Sequence, residues 1–228
     1  MENERSDVLE RAMGYPYPAP SHPFVQLGHG TLDPDEVDVD WQRRVPVLAY
    51  GSNAAPAALA HKLALSDDPV LVLPAWLHDF DVVYSAHISP YGAVPGTLQH
   101  SPGTAARVHV AYMTADQIVL VSATEPNYEP RVLEEVDCRF DGGGGEVSLS
   151  AYISRHGCLL VDGSEVGLAA VPARGRKFGE LSEPQVLEHV RALTCQEESM
   201  EAFVLGNVTD PDLAASRTAQ LPRRRLLQ

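Results

Sequence analysis

The stretch that most constrains this chain is Val47-Leu48-Ala49-Tyr50-Gly51-Ser52-Asn53, an apolar run that stops at a glycine and two small polar residues, then continues as Ala54-Ala55-Pro56-Ala57-Ala58-Leu59. The order reads as strand, tight loop, helix. Gly51 is free to take backbone angles closed to other residues, Asn53 is a favoured N-cap, and Pro56 is tolerated in a first helical turn. The N–H groups of such a turn have no intrahelical partner and can receive a small anion or an oxyanion. Many strand-to-helix turns carry the same residues without a ligand, so the loop alone leaves an ordinary turn and a ligand cradle both open.

From residue 45 onward, short β-like runs alternate with turn chemistry. Residues 45–50 read as one strand, 79–85 as a second and 104–113 as a third, the last with Ala106, Val108, Val110 and Tyr112 on one face. Residues 132–140 and 146–154 flank Asp141-Gly142-Gly143-Gly144-Gly145, a hairpin signal because glycines accept positive φ; a flexible linker is the alternative, and the alternation of Leu149, Ala151 and Ile153 after the run favours a strand. Ser182 with Gln185 makes a capping box, and Val186, Leu187, Val190 and Leu193 then repeat at helical spacing, so a helix closes the domain. Residues 114–124 carry two signals. The consecutive Ile118, Val119, Leu120 and Val121 favour β structure, while Thr114 with Gln117 makes a capping box.

The ends differ in character. Residues 1–44 are punctuated by Pro16, Pro18, Pro20 and Pro23 and carry an acidic run at 33–40, which reads as an extension rather than a second core. Its Tyr15, Tyr17, Phe24, Val25 and Leu27 can lie across the main domain. Residues 206–228 read as a tail, with Arg223, Arg224 and Arg225 solvated.

Composition excludes several classes. The 31 acidic residues outweigh 17 Lys and Arg, a formal charge of −14, which argues against nucleic acid or an anionic membrane surface as partner. Cys138, Cys158 and Cys195 are odd in number and lack Cys-x-x-Cys spacing, so free thiols are expected rather than a zinc ribbon or a secreted disulfide scaffold. His87, His100 and His109 lack the spacing of a helical metal site and read as structural; neither metal nor cofactor is expected. Residues 1–7 lack the apolar centre of a signal peptide. The strongest apolar run, 70–77, is interrupted by Pro74 and too short to span a bilayer, so a soluble cytoplasmic protein is expected. Oligomeric state is not readable from these features.

Three elements together resemble the γ-glutamylcyclotransferase-like family: the Tyr50-Gly51-Ser52-Asn53 loop after a strand, the stretch Gly92-Ala93-Val94-Pro95-Gly96-Thr97 with Pro102-Gly103, and the strand-helix unit that puts Glu125 twelve positions after Met113. The similarity covers about residues 45–155 and extends towards 205. It implies an α+β fold, a small mixed β-barrel with flanking helices, as a single domain at 45–205 between the N-terminal extension 1–44 and the tail 206–228. It also tips residues 114–124 to helix, with Pro126 ending it directly after Glu125.

In that family the α-amine of the substrate attacks its own γ-glutamyl carbonyl, closing 5-oxoproline and expelling an amine or peptide. A tethered attack needs no protein nucleophile, but it needs a group that moves the proton from the attacking to the leaving nitrogen, such as a carboxylate with a burial-raised pKa. The resemblance implies Glu125 as that general acid/base and a small γ-glutamyl compound as substrate. It implies backbone N–H groups of Gly51, Ser52 and Asn53 as oxyanion donors, Tyr50 as a wall, and Tyr128 and Tyr152 as further contacts. The chain departs from the pattern at Ala54, where leucine is usual, at Val121-Ser122 in place of Leu-Asp, and at Pro126 in place of glycine. A second reading therefore stays open: a non-catalytic small-ligand-binding or accessory protein of the same fold. A third keeps the loop and Glu125 but acts on an unrelated amide. Ser52 as a nucleophile lacks the second glycine of a nucleophile elbow and a histidine tied to it, and Glu129, Glu134 and Glu135 read as solvated charges.

Overall fold

The structure, a computed structural model, describes residues 2–225. The elements follow the turn chemistry of the sequence: α1 (Glu2–Met13), β1 (Phe24–Leu27), β2 (Gly30–Leu32), β3 (Val45–Ala49), α2 (Pro56–Lys62), β4 (Val70–Tyr84), β5 (Gly96–Met113), α3 (Ala115–Ala123), β6 (Tyr128–Phe140), β7 (Gly143–Ser154), β8 (Cys158–Val161) and β9 (Ser164–Leu168). After them come β10 (Ala173–Arg174), β11 (Gly179–Leu181), α4 (Glu183–Thr194), α5 (Met200–Thr209), α6 (Pro211–Gln220) and β12 (Arg223–Arg224).

The frame is the antiparallel pair β4–β5, which runs from Leu71↔Tyr112 to Tyr84↔Gly96 with a shift of register at Phe80, opposite both Ala105 and His100. Here the apolar run 70–77 and the expected strand at 79–85 are one continuous element. They join through a kink at Asp79 (φ 62°), whose carboxylate accepts a bond from the Gly103 N–H at 2.7 Å. β3 pairs antiparallel with β5 and parallel with β7; β7 pairs with β6, β6 with β4, and β4 returns to β5, so these five strands form a closed circuit of pairings. The sheet is mixed, and with six helices among the described residues the single domain is α+β. At the β6–β7 hairpin, Phe140 opposes Gly143, and a side chain on Gly144 would come within 2.5 Å of the Cys138 carbonyl, which is why position 144 is glycine.

Residues 115–123 are helical despite their branched run, because the capping box forms in full: Gln117 N–H donates to Thr114 Oγ1 at 3.1 Å, and Thr114 N–H to Gln117 Oε1 at 2.9 Å. Tertiary packing then buries Val121 and leaves Val119 in solvent at 67% exposure. One core cluster lies between the sheet and helices α4 and α5; a second, smaller one holds Leu59, Val121 and Tyr152 under α2 and α3.

The terminal segments are packed on this body. α1 lies on α5, β1 extends the sheet beside β4 through Phe24↔Val72, and Phe24 and Val25 are buried. α5 and α6 pack together, with the guanidinium of buried Arg217 on Asn207 Oδ1 at 2.7 Å, and β12 pairs with β8. The three cysteines are free thiols, and burial pushes Cys138 and Cys158 up to about 12.

One buried acid couples this packing to pH. Glu183 is 3% exposed; its Oε1 accepts the Val94 N–H at 2.7 Å, and its Oε2 has no hydrogen-bond partner among the described residues. Burial pushes its carboxyl well above the usual range, and the Val94 bond pulls it back only in part. The unfolded chain ionises in the ordinary glutamate range and the folded chain later. The stability this residue contributes is therefore full below that range and is lost as pH rises towards the folded value. Glu183→Gln, which has no proton to lose, is expected to melt at a temperature less dependent on pH above the ordinary glutamate range than the wild type, as read by melting scans across pH.

Candidate active site

β3 ends at Ala49, and the chain turns through a short 3-10 turn (Ser52–Ala54) in which the N–H of Ala54 bonds the Gly51 carbonyl at 3.1 Å and that of Ala55 bonds Ser52 at 3.0 Å. The backbone N–H groups of Gly51, Ser52 and Asn53 precede these first bonded positions. The extra turn corrects two sequence expectations. The N-cap of α2 falls on Ala55, not Asn53, with Pro56 in its first turn. Gly51 has φ −135°, so a positive φ is not what calls for glycine here; a Cβ at this position would stand 2.3 Å from the Tyr15 hydroxyl oxygen.

Released from capping, the Asn53 side chain does something else. Its Nδ2 donates to Glu125 Oε1 at 3.1 Å, and its Oδ1 accepts from Lys62 Nζ at 2.6 Å. Lys62 Nζ also meets Glu125 Oε1 at 2.5 Å, closing a triangle in which the two charged side chains are only 13% and 14% exposed. An ion pair this sheltered from water is screened far less than one on the surface. The triangle joins the loop, the last turn of α2 and the residue that follows the Thr124 C-cap of α3.

All seven residues singled out from the sequence, Tyr50, Gly51, Ser52, Asn53, Glu125, Tyr128 and Tyr152, line one cavity. It measures about 60 Å³ and adjoins three larger spaces, a groove of about 510 Å³ past Glu125, a cavity of about 410 Å³ past His87 and one of about 450 Å³ past Tyr15 and Gly51. The tyrosines are tied to the backbone. Tyr50 donates to the Tyr152 carbonyl, Tyr128 donates to the Gly96 carbonyl at 2.8 Å, and Tyr15 accepts the Gly96 N–H at 2.9 Å. With their protons committed to protein carbonyls, Tyr50 and Tyr128 form walls rather than donors to a ligand. Burial, first of all, raises both phenols, and they stay neutral. Tyr152 is held further off, its hydroxyl 2.8 Å from Ser122 Oγ.

Sequence reasoning missed Lys62, Tyr15, Tyr91 and His87 at this site. A lysine is uncommon in this chain, where only two occur, and that scarcity was the available signal for Lys62. Tyr15 reaches the cavity only because α1 and the following proline-rich segment fold over the domain, which no local pattern encodes. Among the described residues no group of three or more His, Cys, Asp or Glu is placed to hold a metal, and no helix is long and apolar enough to cross a membrane.

No protein-family profile matches the chain, and no curated protein matches it. Solved structures with some likeness include a γ-glutamyl cyclotransferase at 14% identity, TM-score 0.39, covering 81% of this chain and 91% of that one. A protein from Arabidopsis thaliana has 18% identity and TM-score 0.39, with 50% of this chain and 70% of that one covered. An uncharacterized protein from Homo sapiens has 15% identity and TM-score 0.37, with 82% and 92% covered. At TM-scores this low the likenesses carry no conclusion about activity, and the site is read from its own side chains.

The clash at Gly51 gives a direct test of how Tyr15 is seated. Gly51→Ala is expected to destabilise the protein by about 1–3 kcal/mol, the usual cost of overpacking, because buried Tyr15 has little room to retreat. The offending atom is the hydroxyl oxygen, with the next ring atom at 3.3 Å, so Tyr15→Phe in the same chain should recover part of the loss. A double-mutant cycle by denaturant unfolding measures it; strict additivity would show that Tyr15 does not occupy this position.

Proposed function

We propose that this protein is a γ-glutamylcyclotransferase-type enzyme that releases 5-oxoproline from a small γ-glutamyl amide. The observation that carries the reading is the Asn53–Glu125 contact at 3.1 Å, which brings the loop and a carboxylate 72 residues away into one cavity beside Lys62. We read the closed circuit of strands as the barrel of that fold, with a catalytic domain at 45–205 flanked by 1–44 and 206–228. The free thiols and the acidic charge suit a cytoplasmic protein that uses neither metal nor cofactor.

The chemistry follows from the groups present. A γ-glutamyl chain folded in the cavity presents its α-amine to Glu125, which takes the proton as nitrogen attacks the γ-carbonyl carbon. The carbonyl oxygen becomes an oxyanion, for which the N–H groups of Gly51, Ser52 and Asn53 are the nearby donors. The proton then passes from Glu125 to the leaving nitrogen as the old C–N bond breaks, giving 5-oxoproline and a free amine. Lys62 and Asn53 hold one carboxylate oxygen in place and are positioning residues.

Glu125→Gln keeps size and hydrogen bonding but cannot accept the proton, so 5-oxoproline release should fall by roughly a hundred- to ten-thousandfold while calorimetric affinity for a γ-glutamyl ligand changes far less. A wild-type protein that binds such ligands, releases no 5-oxoproline from a broad γ-glutamyl panel and is indistinguishable from Glu125→Gln would overturn the enzyme reading in favour of a binding protein. Lys62→Met should lower kcat by about a hundredfold with less effect on KM, the pattern of a displaced acid/base group, and Lys62→Arg should restore part of it.

A further inference from the structure

Beyond Ser89 and Pro90 the candidate site continues into the 410 Å³ cavity, and His87, Ser89, Pro90 and Asn127 line both spaces. One wall is apolar, built by Val208, Pro211, Ala214 and Ala215. The opposite wall holds two imidazoles stacked at 4.7 Å: His87, whose Nδ1 lies 2.6 Å from Ser85 Oγ, and His156, whose Nε2 bonds Asn127 Oδ1 at 3.0 Å. Burial pushes His87 down to about 3 and lowers His156, on which the Arg223 guanidinium acts in the same direction, so both rings are neutral near pH 7.

Two side chains that line this cavity keep unused donor capacity. Asn207 is 2% exposed; its Oδ1 accepts from Arg217 at 2.7 Å, and its Nδ2 has no hydrogen-bond partner among the described residues. A buried amide N–H without an acceptor is costly, and this nitrogen lies behind the cavity surface, so the cation that a ligand in the cavity can reach is Arg223. Arg223 touches the backbone carbonyls of Leu221 and Thr218 and has no carboxylate partner among the described residues. In the groove past Glu125 the cations are already engaged, Lys62 by Glu125 and Arg11 over the Tyr91 ring at 5.3 Å.

We propose that this cavity holds the amine expelled from the γ-glutamyl group, and that this amine is an ω-amino carboxylate, an aliphatic chain whose carboxylate lies at the end remote from the scissile nitrogen. The inference rests on the cyclotransferase reading. A carboxylate next to the scissile nitrogen would sit at the shared mouth, among neutral His87, Ser89, Pro90 and Asn127, whereas Arg223 lines the farther cavity and not that mouth. Carbon chain between the two ends covers the α6 wall, and the carboxylate supplies the anionic partner that Arg223 lacks among the described residues.

The test uses the full-length protein and two probes. Titrating 5-aminopentanoate should shift the imidazole resonances of His87 and His156, pentylamine should not, and Arg223→Met, at an exposed position remote from Glu125, should weaken the effect roughly tenfold, the scale of one charge-assisted contact. In turnover, the γ-glutamyl amide of 5-aminopentanoate should exceed that of pentylamine in kcat/KM, and Arg223→Met should erase the difference through KM. Equal shifts with both probes, no shift with either, or 5-oxoproline release without preference for the carboxylate would overturn the assignment of this cavity. Selective binding of 5-aminopentanoate with no 5-oxoproline released would uphold the cavity and overturn the cyclotransferase reading instead.

Discussion

Strand β3 pairs on both sides, antiparallel to β5 through Val47↔Ala111 and parallel to β7 through Val47↔Ser150, and the geometry of the site hangs on that double pairing. A strand hydrogen-bonded along both edges cannot slip without flipping its buried set, here Val47, Leu48 and Ala49, out of the core. Its C-terminal end therefore delivers Tyr50 and the loop to a fixed place. β5 leads directly into α3 and Glu125, while β7 brings the Tyr152 carbonyl under the Tyr50 hydroxyl. Residues far apart in sequence meet because the circuit of strands closes, not because any local pattern directs them.

Within that frame the site combines a sheltered charge pair with a set of neutral phenols. The Lys62–Glu125 pair is stabilised only while both members are present, since removing either leaves a partly buried charge with its partner gone. The phenols of Tyr15, Tyr50 and Tyr128 add polar atoms without adding charge, and each is satisfied by backbone around Gly96 or Tyr152. A chain of net charge −14 thus keeps at this cavity one of its two lysines, and the carboxylates close to Glu125 in sequence, Glu129, Glu134 and Glu135, are exposed and do not line it.

The flanking segments matter to the cavity more than their composition suggests. The N-terminal segment inserts Tyr15 between Gly51 and Gly96, and the C-terminal helices supply Asn207 and the apolar wall of the adjoining space. Both act through packing that a single sequence does not display, because an extended proline-rich segment and a short amphipathic helix read alike whether they wrap a domain or trail from it.

The sequence by itself determined the elements whose signals are local: the strand before Tyr50, the Thr114–Gln117 and Ser182–Gln185 helix starts, the hairpin at residues 141–145, and the absence of Cys-x-x-Cys spacing. Backbone chemistry within a few residues specifies each of these. It also picked out Glu125 and the loop through resemblance, and the structure brings them to one cavity. Tertiary structure alone decided that residues 70–84 form one bent strand, that Asn53 turns from helix cap to carboxylate ligand, that Gly51 is small for the sake of Tyr15, and that Lys62 faces Glu125. Those four facts depend on which surfaces meet across the closed circuit of strands, and such meetings are fixed by long-range packing that no window of sequence contains.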